Sequence, residues 1–190
     1  MRLNLCSFLA IVSIPLASTV WAADHYEIDP VHSSAIFKIK HLNLSQTYGR
    51  FNSIIGSIDF DAKAPGKSSV MVEIATDSVD TADAKRDTHL KSPDFLNTKQ
   101  FPIMKFVSNS VQPTGRGKYK IVGDLTLHGV TKSISMHAEH IGSGKDLSGG
   151  DRLGFHGLFR IKRSDYDMKH SLDSVGDDVE VIIALEGIKK

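Results

Sequence analysis

Arg86, Asp87 and His89 fall within a single stretch of four positions and form the most chemically suggestive polar group of this 190-residue chain. A cation and an imidazole held side by side at the mouth of a cavity could meet a pyrophosphate or a quinone headgroup. The competing reading is structural. Half-buried arginines ordinarily take carboxylate partners, and Asp80, Asp83, Asp87 and Asp94 lie close by in sequence. The structural reading is the stronger, and it makes the group a pin for the segment that carries it.

Nine histidines invite a metal hypothesis, and their spacing argues against it. His137 and His140 are three apart in a stretch with strand character, so they point to opposite faces. His25, His32 and His41 are scattered over a turn and a strand, and no cysteine is placed to complete a structural zinc site. No metal is expected. Catalytic signatures are also missing: there is no Gly-x-Ser-x-Gly elbow, no His-Glu-x-x-His and no phosphate-binding glycine loop. The run Asp29-Pro30-Val31-His32-Ser33 is an ordinary polar turn. The expectation is therefore a non-enzyme without a cofactor.

The elements that must position these residues begin after a leader. Arg2, an apolar run from Leu3 to Leu16 and the small-residue stretch ending at Ala22-Ala23 have the form of a secretory signal peptide over residues 1–22, with cleavage after Ala22. The run is shorter than the roughly 20 residues of a spanning helix, so a stable membrane anchor is not expected, and the periplasm is the expected location. Cys6 is the sole cysteine and leaves with the leader. Of 23 basic residues only Arg2 is lost, leaving 22 against 22 acidic ones. A balanced charge disfavours nucleic acid as a partner.

From Ala23 onward apolar residues mostly alternate, the period of half-buried strands. Eight stretches stand out, at about 28–42, 49–60, 69–77, 103–112, 117–127, 132–141, 153–163 and 178–188. Ala64-Pro65-Gly66-Lys67, Pro113 to Gly117 and the glycine-rich run from Gly142 to Gly150 separate them as turns or loops. Between the third and fourth stretches the alternation stops. Thr81 to Leu90 holds helix formers, and Ser92-Pro93 has the form of an N-cap followed by proline at the first helical position. One or two short helices are predicted there. An antiparallel sheet of about eight strands can close on itself, with an interior either filled or holding one small ligand; a sandwich is the alternative.

Alternation places Ala35, Phe37, Ile39 and His41 on one face of the first strand, and Ile54, Gly56, Ile58 and Phe60 on one face of the second. Val70, Val72 and Ile74 follow, then Met104 and Phe106, then Tyr119 to Leu127 at every second residue. Ile134, Met136 and Ala138, then Phe155, Gly157, Phe159 and Ile161, then Val179 to Leu185 complete the set. This lining is apolar enough to disfavour a polar catalytic chamber or a sugar site. Gly56, Gly123 and Gly157 either leave room inside or let the wall coil sharply. Burying each CH₂-sized group contributes about 0.8 kcal/mol, so a long hydrocarbon guest could offset its immobilisation.

The chain resembles the YceI-like family of periplasmic, lipocalin-like polyisoprenoid-binding proteins. The resemblance rests on Tyr26-Glu27-Ile28-Asp29 with His32-Ser33, Phe37 to Leu42, Gly49-Arg50-Phe51, Ser78 to Thr81, Arg86 to Asn97 with Phe101-Pro102, Gly123 to Lys132, and Val179 to Ile183. One departure is Asp167, where many relatives carry glycine or another small residue. The resemblance implies an all-β, closed antiparallel eight-stranded lipocalin-like barrel over residues 23–190. It further implies a long-chain isoprenoid, quinone, polyprenyl phosphate or similar lipid as the bound partner, held for sequestration, transport or storage. A homodimer stays open. Phe37, Ile39, Ile58, Phe60, Met104, Phe106, Phe155 and Phe159 are the candidate ligand contacts. Two alternatives predict something different: an enzyme or stress-response factor acting on lipid-derived molecules through Arg86 and His89, and a filled barrel that binds other proteins and has no cavity.

Overall fold

The computed structural model describes residues 23–190; the leader expected over 1–22 lies outside them. Eleven strand segments form one sheet: β1 (Asp24–Ile28), β2 (Ser34–His41), β3 (Ser45–Phe51), β4 (Ile54–Phe60), β5 (Ser69–Ala75), β6 (Val79–Asp80), β7 (Ile103–Gly115), β8 (Lys118–Leu127), β9 (Val130–Lys145), β10 (Asp151–Lys162) and β11 (Val175–Lys189). Among the described residues one α-helix, α1 (Ala84–Leu90), interrupts the series.

Neighbouring strands are antiparallel, and the ring closes where β1 pairs β11, Tyr26 opposite Lys189. The eleven segments reduce to eight continuous strands, because β2 continues β1 along the same partner β11, with Val181 opposite Phe37. In the same way β3 runs into β4 and β5 into β6. The breaks are stitched by backbone bonds: Asp29 N–H to Glu186 C=O at 2.8 Å, Asn52 N–H to Ser78 C=O at 3.1 Å and Ala75 N–H to Ser53 C=O at 3.1 Å. The protein is thus a closed eight-stranded antiparallel barrel.

Turn chemistry fits the connections. The two-residue link between β8 and β9 is His128-Gly129, both at positive φ (52° and 76°), as a turn matched to strand twist requires. Asp167 closes a short 3-10 turn in the left-handed region at φ 59°. Glycine adopts that conformation without strain, so Asp167 holds a backbone position that a smaller residue would suit.

The helical insertion holds one of the one or two short helices expected. Asp83 caps α1, its carboxylate accepting from Arg86 N–H at 2.8 Å. The stretch begun by Ser92-Pro93 forms no second helix: it folds into successive turns, with Phe95 and Asn97 N–H both donating to Ser92 C=O and Leu96 N–H to Leu90 C=O. Strands also run further than expected. β7 continues to Gly115 and β9 to Lys145, so the glycine-rich run after Gly142 is largely the tip of a long hairpin arm.

Because the strands alternate in direction, the connections sort onto two ends. Residues 61–68, 116–117 and 146–150 lie at what we call the hairpin end. Residues 42–44, the insertion 81–102, 128–129 and the β10–β11 connection 163–174 lie at the cap end. The wall between them is packed from Tyr26, Ile54, Leu125, Leu153 and other buried side chains.

Candidate ligand cavity

Alternation along each strand turns every second side chain inward, and between the two ends of the ring those side chains leave the interior unfilled. They bound a cavity of about 210 Å³, far larger than the ~10–15 Å³ needed to hold one water. A barrel filled to its axis is thereby excluded. Phe37, Ile39, Ile58, Phe60, Met104, Phe106, Phe155 and Phe159 all lie on its wall. They come from β2, β4, β7 and β10, with β5, β8 and β11 contributing further aliphatic residues such as Val72, Ile121 and Val181.

His41 does not join them. At the last position of β2 it is exposed, because the strand has run beyond the barrel wall. The three inward glycines divide. A Cβ on Gly56 would stand 2.1 Å from Met71 O, and one on Gly123 would stand 2.3 Å from Val107 O and 2.5 Å from the Phe106 ring. Those two positions serve close approach of neighbouring groups. Gly157 faces the cavity, with Met136 Sδ at 3.4 Å from the site of its missing Cβ.

At the hairpin end the cavity stops against rings. Phe60 and Phe155 meet edge to face at 5.2 Å between centroids, Tyr119 approaches Phe60 at 6.0 Å, and the His140 imidazole lies 5.3 Å from Phe60 and 5.1 Å from Phe155. His137, on the opposite face of β9, is exposed, as the three-residue spacing predicts. Outside this plug, Arg152 bonds to Asp29, Asp146 and Glu186 at 2.6, 2.8 and 2.8 Å and ties the hairpin arm to the wall. Hydrogen bonds from His32 and Arg152 hold the Asp29 carboxyl well below the usual carboxylate range.

At the cap end the wall is completed by side chains that strand periodicity could not supply: Leu90 of α1, Phe95 and Leu96 of the turns after it, and Met168 of the β10–β11 connection. Beside them is Arg163, the charged residue of the lining, only 3% exposed. Its guanidinium donates to three backbone carbonyls, of Met168 at 2.7 Å, Val175 at 2.8 Å and Gly176 at 2.9 Å. It also lies 5.8 Å from the centroid of Phe95. Burial pushes its pKa down, opposed by the charge of Asp177, yet an arginine stays protonated at any ordinary pH. A signal for it existed: the inward series Phe155, Gly157, Phe159, Ile161 reaches Arg163 at the next step of two.

The Arg86, Asp87 and His89 group lies elsewhere. Arg86 donates from Nε to Thr81 Oγ1 at 2.7 Å and from Nη2 to Thr81 C=O at 2.6 Å. Asp87 accepts from Thr81 N–H at 2.9 Å and from its hydroxyl at 2.5 Å. These bonds fasten α1 to the strand that precedes it, through Thr81 where a carboxylate had been expected. His89 turns away to Asp94, 2.9 Å distant. Arg86 and His89 are exposed, and none of the three residues borders the cavity.

A closed antiparallel barrel with a hollow apolar interior and a helical cap places the protein in the lipocalin-like class of binding folds. The YceI-like domain model matches residues 26–187, and the chain belongs to that family. Protein YceI of Escherichia coli O157:H7 is 43% identical over 176 residues, covering 92% of this chain and 91% of the relative. Among solved structures, BcnA of Burkholderia cenocepacia has the same fold at a TM-score of 0.77 and 23% identity, over 84% of this chain and 98% of that one. A polyisoprenoid binding domain from Saccharophagus degradans, implicated in plant cell wall breakdown, superposes with a TM-score of 0.70 at 16% identity, over 88% and 99% of the two chains.

Proposed function

We propose that this barrel is a periplasmic carrier that holds one long isoprenoid-type amphiphile, such as a quinone or a polyprenyl phosphate, for sequestration, transport or storage. The observation that carries the reading is the cavity bounded by apolar side chains from all eight continuous strands and the cap. Each buried CH₂ contributes about 0.8 kcal/mol, so the tail supplies the affinity and the headgroup a smaller selectivity. The tail runs toward the aromatic plug at the hairpin end, and the polar head rests at the cap end beside Arg163. That a domain of this fold is described as polyisoprenoid-binding agrees with the reading, as does the leader expected over residues 1–22. The wall is almost wholly apolar, so binding is the activity proposed.

The test is extraction. Protein exported by its own cell and purified without detergent should release an isoprenoid lipid into organic solvent, detected by mass spectrometry at up to one molecule per chain. Repeated empty extractions, together with failure of the empty protein to take up a long-chain quinone, would overturn the proposal.

A further inference from the structure

Outside the cavity, the cap end gathers three metal-ligating side chains from two separate segments. His89 is on α1, Asp94 is in the turns that follow, and His170 is in the β10–β11 connection. One ligand atom from each lies within 4.8 Å of the other two. Asp94 spans the gap, with Oδ2 at 2.9 Å from His89 Nε2 and Oδ1 at 3.8 Å from His170 Nδ1. The two imidazoles stand edge to face at 5.6 Å between centroids, and the Phe95 ring contacts both, at 5.0 and 5.3 Å.

Zinc binds imidazole nitrogen at about 2.0–2.1 Å and carboxylate oxygen at about 2.0–2.2 Å. Tetrahedral ligands are therefore spaced at roughly 3.3 Å, and a small inward rotation of exposed side chains brings these three to that spacing. Two imidazoles and one carboxylate suit a borderline divalent cation, whereas calcium and magnesium prefer all-oxygen sites. We propose that His89, Asp94 and His170 bind one Zn²⁺, with water in the remaining position, and that the ion clamps α1 and its following turns to the β10–β11 connection.

The clamp has a mechanical consequence. Phe95 and Leu96 on one side of the joint and Met168 on the other complete the cavity wall, so the ion joins the two parts of the cap without touching the interior. Binding energy directed only to the closed arrangement shifts the cap toward it. The metal site itself does not depend on the carrier reading, and its test needs no lipid.

Untagged protein treated with a chelator and then titrated calorimetrically with ZnCl₂ should bind one Zn²⁺ per chain. Affinity should fall at least tenfold in His170→Ala and in Asp94→Asn, and stay unchanged in His137→Ala, which alters an exposed histidine outside the cluster. His170 lies in a surface connection, so folding survives its removal; a circular dichroism spectrum matching wild type checks this. Amide hydrogen exchange in residues 84–98 and 163–174 should slow on adding Zn²⁺ to wild type and not to His170→Ala. Absence of saturable uptake, or uptake undiminished in His170→Ala, would overturn the site. Stoichiometric uptake with unaltered exchange in both segments would overturn the clamp.

Discussion

At the hairpin end the cavity stops against Phe60, Tyr119, His140 and Phe155, rings carried by four different strands. At the cap end it stops against Leu90, Phe95, Leu96 and Met168, which belong to no strand. The difference is one of what must break to open each end. The rings are fixed by ladder register, and displacing them costs sheet hydrogen bonds on several strands. The cap is held by its own turns, by the Thr81 bonds to Arg86 and Asp87, and by Thr76, whose hydroxyl donates to Phe101 C=O at 2.7 Å. Opening it would leave the sheet ladder intact. The cap end is therefore where the proposed guest is expected to pass, since gates are drawn from the segments that open at least cost.

The sharpest contrast between the ends comes from truncating one ring at each. Phe60→Ala should destabilise the fold by about 3–5 kcal/mol, the usual cost for a buried phenylalanine, read by chemical denaturation. Phe95→Ala, at a half-buried position, should cost about 1 kcal/mol yet speed release of a bound fluorescent long-chain lipid at least tenfold. Equal destabilisation with no change in release would erase the distinction.

Arg163→Met tests the polarity of the cap end. It leaves three carbonyls without their donor, worth about 1–3 kcal/mol of stability. It should also abolish any preference for an anionic amphiphile over a neutral one of the same chain length. A preference that survives would place the headgroup elsewhere.

At the hairpin end the corresponding charge is satisfied by carboxylates, and pH reads it out. The Asp29 carboxyl is held down by His32 and Arg152, so the folded state binds fewer protons than the unfolded one. The stability this contributes is complete above the unfolded pKa of about 3.9 and drains as pH falls below it. Asp29→Asn should therefore unfold at a lower temperature than wild type at pH 7, and the gap should close on acidification below about pH 4. A gap that widens in acid would contradict the assignment.

The smallest effect is expected at Tyr166, 1% exposed, whose buried hydroxyl has no hydrogen-bond partner among the described residues and whose pKa burial pushes up to about 12. Tyr166→Phe should change stability by no more than about 0.5 kcal/mol, or increase it, since removing an unpartnered buried polar group is nearly neutral or favourable.

The wall of the barrel was legible in the sequence because strand alternation is a local property. Reading every second residue from Phe37 or Phe155 leads along the cavity without knowledge of the fold. The caps were not legible in that way. Phe95 and Met168 reach the cavity by the path of a turn and a loop, and no period connects them to the strands. Ser92-Pro93 carries a helix-start signal that the short segment to Phe101 has no room to use. Gly56 and Gly123 share the inward face with Gly157, but whether a glycine borders a hollow or a neighbouring carbonyl depends on register with the adjacent strand. Arg163 continues the inward alternation, and the three carbonyls that satisfy it belong to residues brought together only by the β10–β11 connection. Arg86 and Asp87 bond to Thr81 where the sequence offered acids as partners for the arginine.

Calorimetric titration of delipidated protein with isoprenoid alcohols of increasing length measures the central claim most directly. Affinity should rise steeply with each added isoprene unit and then level off once the tail fills the cavity, and replacing Gly157 with leucine should bring the plateau to shorter chains. Affinity that ignores chain length, or a wild-type protein that binds none of the series, would contradict a hollow built for a hydrocarbon tail.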